Sequence, residues 1–153
     1  MRVFSFAQES TRYCNYSKGK FGEELTFIIP NWLNLEEGNY EEKYLISKQN
    51  NEEIKTIGCN ETFWNVSSSQ EGRFLEACVW SEHYYMDLIN TWSWKAQEAR
   101  AVLPTAVKAE LVMTGFVDDW KHFFHLRTAA GAHPQARELA QPLEQEFINK
   151  RYI

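Results

Sequence analysis

The sequence predicts an α+β domain, because some segments alternate with the period of a strand and others repeat apolar residues with the period of a helix. The chain has 153 residues, of which 44% are hydrophobic, enough for one domain with its own core. We therefore expect a single domain over residues 1–153. No stretch approaches the roughly 20 apolar residues of a membrane span, and the first residues lack a secretory apolar region, so we expect a soluble, cytoplasmic protein without a membrane partner.

Two segments have the composition of strands. Residues 23–30 are rich in β-branched and aromatic side chains and stop at a proline, which favours a strand. Three of its apolar residues would share one face: Leu25, Phe27 and Ile29. A second alternation runs over residues 107–113 and predicts another strand with one buried face.

The segment between the first strand and the first long helix is acidic and rich in turn residues. Short strands or helical turns are predicted at residues 43–48 and 53–57, punctuated by the turn residues Gly38-Asn39, Gln49-Asn50-Asn51 and Gly58. We interpret residues 31–66 as a variable surface insertion without chemistry of its own.

A long helix is predicted after the serines at 67–69, which are candidate N-caps. Its stripe consists of Phe74, Ala77, Cys78, Ser81, Tyr85, Leu88 and Trp92. We expect this helix to be the longest element and its aromatic residues to lie in the core. The helical pattern resumes at Lys95 and ends before Pro104, which places Arg100 near a helix terminus.

Two further helices are predicted in the last third of the chain. The first has a stripe formed by Val117, Trp120, Phe124 and Arg127, with Phe123 beside it. Asp118 and Asp119 in its first turn suit the helix dipole, as does Arg127 in its last turn. Arg127 could bind a ligand or only cap the last carbonyls, and spacing alone leaves both open. The second helix is predicted to start at Pro134 and to bend at Pro142.

Charge and cysteine content restrict the partners. The net charge of −5 argues against a nucleic-acid polymer. Residues 1–20 carry four cations against one glutamate, whereas residues 21–65 carry nine glutamates against three lysines. A small anion could therefore bind near the N-terminus. Such charge runs are more often only solvated faces. The three cysteines, Cys14, Cys59 and Cys78, lack metal-ligand spacing and are expected to be free thiols.

Three ordered motifs resemble those of the flavin-dependent thymidylate synthases. The first is Arg2, seven residues and Ser10, followed by Arg12-Tyr13, similar to the last part of an Arg-His-Arg-x7-Ser motif. The second is Glu98-Ala99-Arg100 with Leu103-Pro104. The third is Leu126-Arg127, His133-Pro134-Gln135 and Arg137. The resemblance implies the fold of these enzymes, a mixed sheet flanked by helices. It also implies an N-terminally truncated chain, because Met1 stands where the motif has its His.

The resemblance further implies which residues bind substrate and cofactor. The substrate deoxyuridylate (dUMP) would be bound by Gln8, Glu9, Ser10, Thr11, Arg12, Arg100 and Arg127. Arg127 would be the catalytic residue, helping to ionise uracil N3 and activate the ring. FAD would be contacted by Arg2, Gln8 and His122, and no metal is implied.

The implied reaction moves a one-carbon unit from methylenetetrahydrofolate to dUMP and yields dTMP. Reduced FAD would deliver hydride, and NADPH would reduce the flavin. No protein nucleophile is needed, which agrees with the lack of a persuasive Cys–His pair. The resembling enzymes form homotetramers with shared sites, so a homo-oligomer is expected.

Two alternatives remain from the sequence. The chain could be a non-catalytic remnant of such an enzyme, or a subunit that contributes only part of a site. It could instead be a metal-dependent hydrolase that uses Asp118 with the histidines at 122, 125 and 133, since Asp118 and the first two share a helix face.

Overall fold

The computed structural model describes residues 4–19, 22–47 and 52–153, and the chain divides into two compact units. The larger unit is Ser10–Ala109, and the smaller one combines residues 4–9 with Glu110–Ile153. In chain order the elements are β1 (Ser5–Gln8), β2 (Glu41–Ile46), β3 (Glu53–Cys59), β4 (Thr62–Asn65), α1 (Gln70–Asn90), α2 (Ala96–Ala99), a 3-10 helix (Arg100–Val102), β5 (Leu111–Thr114), α3 (Val117–Arg127) and α4 (Pro134–Asn149). The predicted α+β class is confirmed. None of the helices in this described part of the chain is long and apolar enough to cross a membrane.

The larger unit is built on α1, which is the longest described element, as predicted. The helix begins after Ser69, whose Oγ accepts a hydrogen bond from the backbone N–H of Gly72 at 2.8 Å, so the predicted serine cap is confirmed. Gly72 has no room for a side chain, because a Cβ there would lie 2.5 Å from the carbonyl oxygen of Asn65. The loop before α1 therefore packs directly on its first turn.

One hydrophobic cluster of the larger unit surrounds the C-terminal half of α1. Its buried members are Tyr16, Leu25, Tyr85 and Ala99. Ala99 ends α2, and the chain continues through the 3-10 helix to Leu103, which packs against the same cluster. The helical segment predicted before Pro104 is thus confirmed as two short turns.

A three-stranded antiparallel sheet with the order β2-β3-β4 packs near the start of α1. Ile57 of β3 and Val66 form a second buried cluster with Leu75 of α1. The segments predicted at 43–48 and 53–57 contain strands and not helical turns, over Glu41–Ile46 and Glu53–Cys59, and residue 48 lies outside the described residues. The expected variability of residues 31–66 stays a prediction, although this segment supplies buried side chains to the unit.

Lys55 ties this sheet to α1. Its Nζ lies 3.0 Å from a carboxylate oxygen of Glu42 on the neighbouring strand and 2.9 Å from one of Glu76 on the helix. The same atom lies 4.9 Å from the ring centroid of Trp80, within the range of a cation–π contact. One side chain thus joins a strand, a helix and an aromatic ring.

The prediction of a strand over residues 23–30 is wrong, although the predicted inward face of the segment is right. Leu25 is buried, but the segment pairs only through an isolated antiparallel bridge between Phe27 and Val107. The N–H of Leu25 donates to the carboxylate of Glu82 on α1 at 2.6 Å. The bond ties this segment to α1, while the backbone bonds of Thr26 and Ile28 with the opposite segment form only the single bridge.

The smaller unit combines the β1-β5 antiparallel pair with α3 and α4. Ring contacts with centroid separations of 5.1 to 6.2 Å connect Phe4, Trp120, Phe123, Phe124, Phe147 and Tyr152. The predicted extent of α3 and the predicted start of α4 at Pro134 are both confirmed. The strand expected at 107–113 is shorter and shifted, since β5 covers only Leu111–Thr114.

Two further expectations change. The described strands form two antiparallel sheets in place of the expected mixed sheet. The aromatic residues of the α1 stripe were expected to lie in the core. Tyr85 does so, with 0% exposure, but Trp92 is 66% exposed and lies beyond the end of the helix. The stripe ends there because the chain leaves the helix after Asn90, and Trp92 instead donates its indole N–H to Asp87.

Candidate functional site

Ser10, Thr11 and Arg12, which were predicted to bind dUMP, lie in a tight turn at the start of the larger unit. The carbonyl of Ser10 accepts hydrogen bonds from the N–H groups of Tyr13 and Cys14, both at 2.9 Å. The Ser10 hydroxyl accepts a further hydrogen bond from the N–H of Arg12 at 3.3 Å. The turn is therefore held by the carbonyl and the hydroxyl of Ser10.

Arg12 is exposed and is stacked on an aromatic ring. Its guanidinium carbon lies 5.3 Å from the ring centroid of Tyr13, a cation–π distance. Within the described residues no carboxylate pairs with it. Its charge is thus oriented by a neutral neighbour and remains available to an anion.

Arg100 opens the 3-10 helix directly after the buried Ala99 and is exposed. An exposed arginine at such a position could pair with a nearby surface carboxylate. Glu98, the nearest acid in sequence, instead accepts a hydrogen bond from the backbone N–H of Lys95 at 2.9 Å and so caps α2. Arg100 has no ion pair in the described ranges.

The structure places the segments that carry Arg12 and Arg100 against the same hydrophobic cluster of the larger unit. Cys14 and Tyr16 follow Arg12 closely in the chain, and Ala99 precedes Arg100; all three belong to the cluster around Tyr85. Sequence analysis placed Tyr85 on an apolar stripe but did not predict a link between these segments. The signal in the sequence was a tyrosine, which carries a polar hydroxyl, on a largely apolar helical stripe.

Gln8 and Glu9 lie at the end of β1 in the smaller unit. Gln8 is exposed and faces Leu111 in the register of the sheet. Glu9 has a structural contact, because its carboxylate accepts the N–H of Glu110 at 3.1 Å while its own N–H donates to the Glu110 carbonyl at 2.8 Å. These bonds extend the β1-β5 pair by one residue. The expected nucleotide contact of Glu9 stays a prediction.

Arg127 is the last residue of α3 and is exposed. The sequence left open that it caps the helix, but Thr128 performs that role. Both the N–H and the hydroxyl of Thr128 donate to the carbonyl of Phe124, at 2.9 and 2.8 Å. Arg127 forms no ion pair with another described residue. The cap interpretation therefore lacks support.

His122 is also exposed on α3, one turn before Leu126 and Arg127. The start of α3 is closed by Asp119, whose carboxylate accepts the N–H of Phe116 at 3.3 Å. Arg2, the third residue expected to contact flavin, lies outside the described residues.

The metal-dependent alternative has no geometric support. The described residues contain no group of three or more His, Cys, Asp or Glu side chains that could hold a metal ion. Asp118, the carboxylate of the proposed ligand set, pairs with Lys121 at 3.2 Å.

The cysteines are free thiols, as predicted. Cys78 is buried on α1, and burial raises the pKa of its thiol to about 11. A thiol with so high a pKa is almost fully protonated near neutrality and is a poor nucleophile. Cys78 is therefore unsuited to nucleophilic catalysis.

Comparison with known proteins gives a family and a fold. The family described as thymidylate synthase complementing protein matches residues 1–150. The chain is similar to a crystal structure of thymidylate synthase X (ThyX) from Helicobacter pylori with FAD and dUMP, with a TM-score of 0.55, 17% sequence identity and coverage of 93% of this chain and 55% of that chain. No curated protein matches. The chain thus spans about half the length of the solved relative, with a similar fold.

Proposed function

The chain belongs to the thymidylate synthase complementing protein family, and on that premise we propose that it is a flavin-dependent thymidylate synthase that methylates dUMP to dTMP. The one-carbon donor is methylenetetrahydrofolate, the cofactor is FAD, and NADPH is the reductant. The similar fold of a ThyX protein crystallised with FAD and dUMP supports this proposal.

The observation that best supports the proposal is that three exposed arginines lack a carboxylate partner in the described part of the chain. Arg12, Arg100 and Arg127 are all exposed, and none has a carboxylate partner among the residues that the structure describes. A planar guanidinium donates two parallel hydrogen bonds to phosphate or carbonyl oxygens. Arginines without a carboxylate partner are therefore suited to a phosphorylated pyrimidine.

The proposed role of Arg127 is to polarise the pyrimidine. A guanidinium donating to the uracil carbonyl edge stabilises negative charge on the ring and so favours loss of the N3 proton. Arg12 and Arg100 are proposed to bind the nucleotide, with the phosphate as the main determinant of affinity. Ser10 and Thr11 are proposed to add hydroxyl donors.

Gln8 and His122 fit a role in flavin binding. Both are exposed polar side chains for which the described structure has no hydrogen-bond partner, so an amide and an imidazole are available to donate to a bound ligand. Reduced FAD supplies the hydride when bound. These two residues would orient it, together with Arg2.

Calorimetry with dUMP and deoxyuridine tests the nucleotide site. We expect dUMP to bind at least about tenfold more tightly, because only dUMP carries the phosphate, and tenfold corresponds to about 1.4 kcal/mol. Equal affinity for the two, or no affinity for either, would contradict the proposal. Binding without formation of dTMP in the presence of FAD, NADPH and methylenetetrahydrofolate would favour a non-catalytic member of the family.

Assembly and location are part of the same proposal. We propose a homo-oligomer, a tetramer by analogy with the enzymes that the sequence resembles. Sedimentation at micromolar concentration tests it, and a stable monomer would count against shared sites. The expected cytoplasmic location stays a prediction.

A further inference from the structure

Tyr85 is a buried tyrosine whose hydroxyl has a specific partner. It lies on α1 with 0% exposure, and its Oη accepts a hydrogen bond from the backbone N–H of Tyr16 at 3.3 Å. The two rings also contact each other, with centroids 6.1 Å apart. Tyr16 is itself only 6% exposed. The hydroxyl therefore fixes a backbone position 69 residues away in the chain.

Tyr16 is joined to Arg12 by a short, internally bonded segment. The Ser10 carbonyl holds the N–H groups of Tyr13 and Cys14. On the other side of Tyr16, the Asn15 side chain accepts from both the N–H and the hydroxyl of Ser17, at 3.0 and 2.7 Å. Because hydrogen bonds close residues 10–14 on one side of Tyr16 and span it from Asn15 to Ser17, a displacement of Tyr16 would shift the turn that carries Arg12.

Tyr85 also packs in the cluster that fixes Arg100. Ala99 is 0% exposed and belongs to the same group of buried residues as Tyr85 and Tyr16. Arg100 follows Ala99 directly and has no ion pair within the described chain to hold it elsewhere. One buried ring thus lies against the supports of both arginines.

We propose that Tyr85 is a positioning residue that sets the placement of the Ser10–Tyr13 turn relative to Arg100, and thereby the recognition of the nucleotide phosphate. This inference rests on the proposed function for its ligand. Tyr85 touches neither substrate nor cofactor and acts through the backbone of Tyr16.

The competing interpretation is that Tyr85 only fills space in the core. The variant Tyr85→Phe separates the two, because phenylalanine keeps the ring and removes the hydroxyl that accepts the Tyr16 N–H. A role limited to packing predicts no change in nucleotide affinity well below the melting temperature. A positioning role predicts weaker phosphate recognition.

The test compares Tyr85→Phe with Ile57→Val, a change in the other buried cluster of the larger unit. We expect Tyr85→Phe to weaken dUMP binding about tenfold and to leave deoxyuridine binding unchanged, while Ile57→Val changes neither. In an Arg12→Ala background the effect of Tyr85→Phe should largely vanish, because both changes act on the same contact.

Several outcomes would overturn the inference. These are wild-type affinity for dUMP in Tyr85→Phe, an equal loss for dUMP and deoxyuridine, an equal loss in Ile57→Val, or a full effect in the Arg12→Ala background. Each would mean that the hydroxyl does not act through the turn.

Amide hydrogen exchange without nucleotide distinguishes failure of this inference from failure of the proposed function. We expect exchange over residues 10–16 to be at least about tenfold faster in Tyr85→Phe and unchanged in Ile57→Val. Faster exchange in a protein that binds neither nucleotide would reject the proposed function and retain the positioning of the turn. Unchanged exchange would reject the positioning role itself.

Discussion

Lys55 of the three-stranded sheet and the arginines of the three motifs differ in what surrounds them. Lys55 lies between Glu42 and Glu76, at 3.0 and 2.9 Å, and its ammonium group faces an indole ring. Arg12, Arg100 and Arg127 have no carboxylate partner within the residues described. The difference teaches that the first kind of cation stabilises the fold, whereas the second kind is available to an external anion.

The protonation equilibria of the sheet follow from this pairing. Burial lowers the pKa of Lys55, but the hydrogen bonds to Glu76 and Glu42 outweigh it, and the net shift is upward. The hydrogen bond from Tyr44 and the contact with Lys55 lower the pKa of Glu42. A carboxyl with a lowered pKa contributes stability at neutral pH that is lost as the pH falls through its folded-state pKa.

Arg127→Lys should have the largest effect on binding. The variant keeps the charge but loses the planar two-donor contact, so we expect dUMP affinity to fall at least about tenfold, or about 1.4 kcal/mol, and turnover to fall with it. The free energy of unfolding should change by less than about 0.5 kcal/mol, because Thr128 and not Arg127 closes α3. Arg73→Lys is the matched control, since Arg73 pairs with Glu76. If Arg127→Lys bound dUMP as tightly as the wild type, the proposed role of the unpaired arginines in nucleotide binding would be contradicted.

Lys55→Met should show the opposite pattern. It leaves Glu42 and Glu76 without their shared cation and removes the contact with Trp80, so we expect the free energy of unfolding to fall by about 1–2 kcal/mol. The affinity for dUMP should not change. Urea titration and calorimetry measure the two quantities. A variant as stable as the wild type would show that paired and unpaired cations do not differ in structural value.

Glu82→Gln should have the smallest effect and should appear as pH dependence. Burial raises the pKa of Glu82, the hydrogen bond from the Leu25 N–H opposes the rise, and Glu24 adds to it. A carboxyl with a raised pKa contributes stability below its unfolded-state pKa that is lost as the pH rises through the folded-state pKa. Glutamine keeps an acceptor for Leu25 but cannot ionise, so this contribution should disappear.

The measurement is urea unfolding of wild type and Glu82→Gln at about pH 5 and about pH 7. The wild type should lose stability relative to the variant as the pH rises, by less than about 1 kcal/mol. Parallel pH profiles would mean that the Glu82 carboxyl titrates alike in the folded and unfolded chain.

The features that depend on neighbours in the chain could be predicted from the sequence alone. The extent of α3, the start of α4 at Pro134 and the cap at Ser69 follow from helical period, a proline and a hydroxyl, all of which act within a few residues. The family was also predictable, because three ordered motifs identify it. Residues 31–66 were predicted only in part, since their composition did not decide between strands and helical turns.

Contacts between residues far apart in the chain were decided by tertiary structure. Leu25 donates to Glu82, 57 residues away, and the strand predicted at 23–30 is reduced to a single bridge between Phe27 and Val107. Tyr16 donates to the hydroxyl of Tyr85, which no local pattern indicates. Whether Arg127 caps its helix also depended on the tertiary structure. Among the described residues, the Phe124 carbonyl accepts hydrogen bonds from the N–H and the hydroxyl of Thr128, and not from Arg127. Periodicity determines which face of a segment is buried, but only the folded chain determines which polar group each donor meets there.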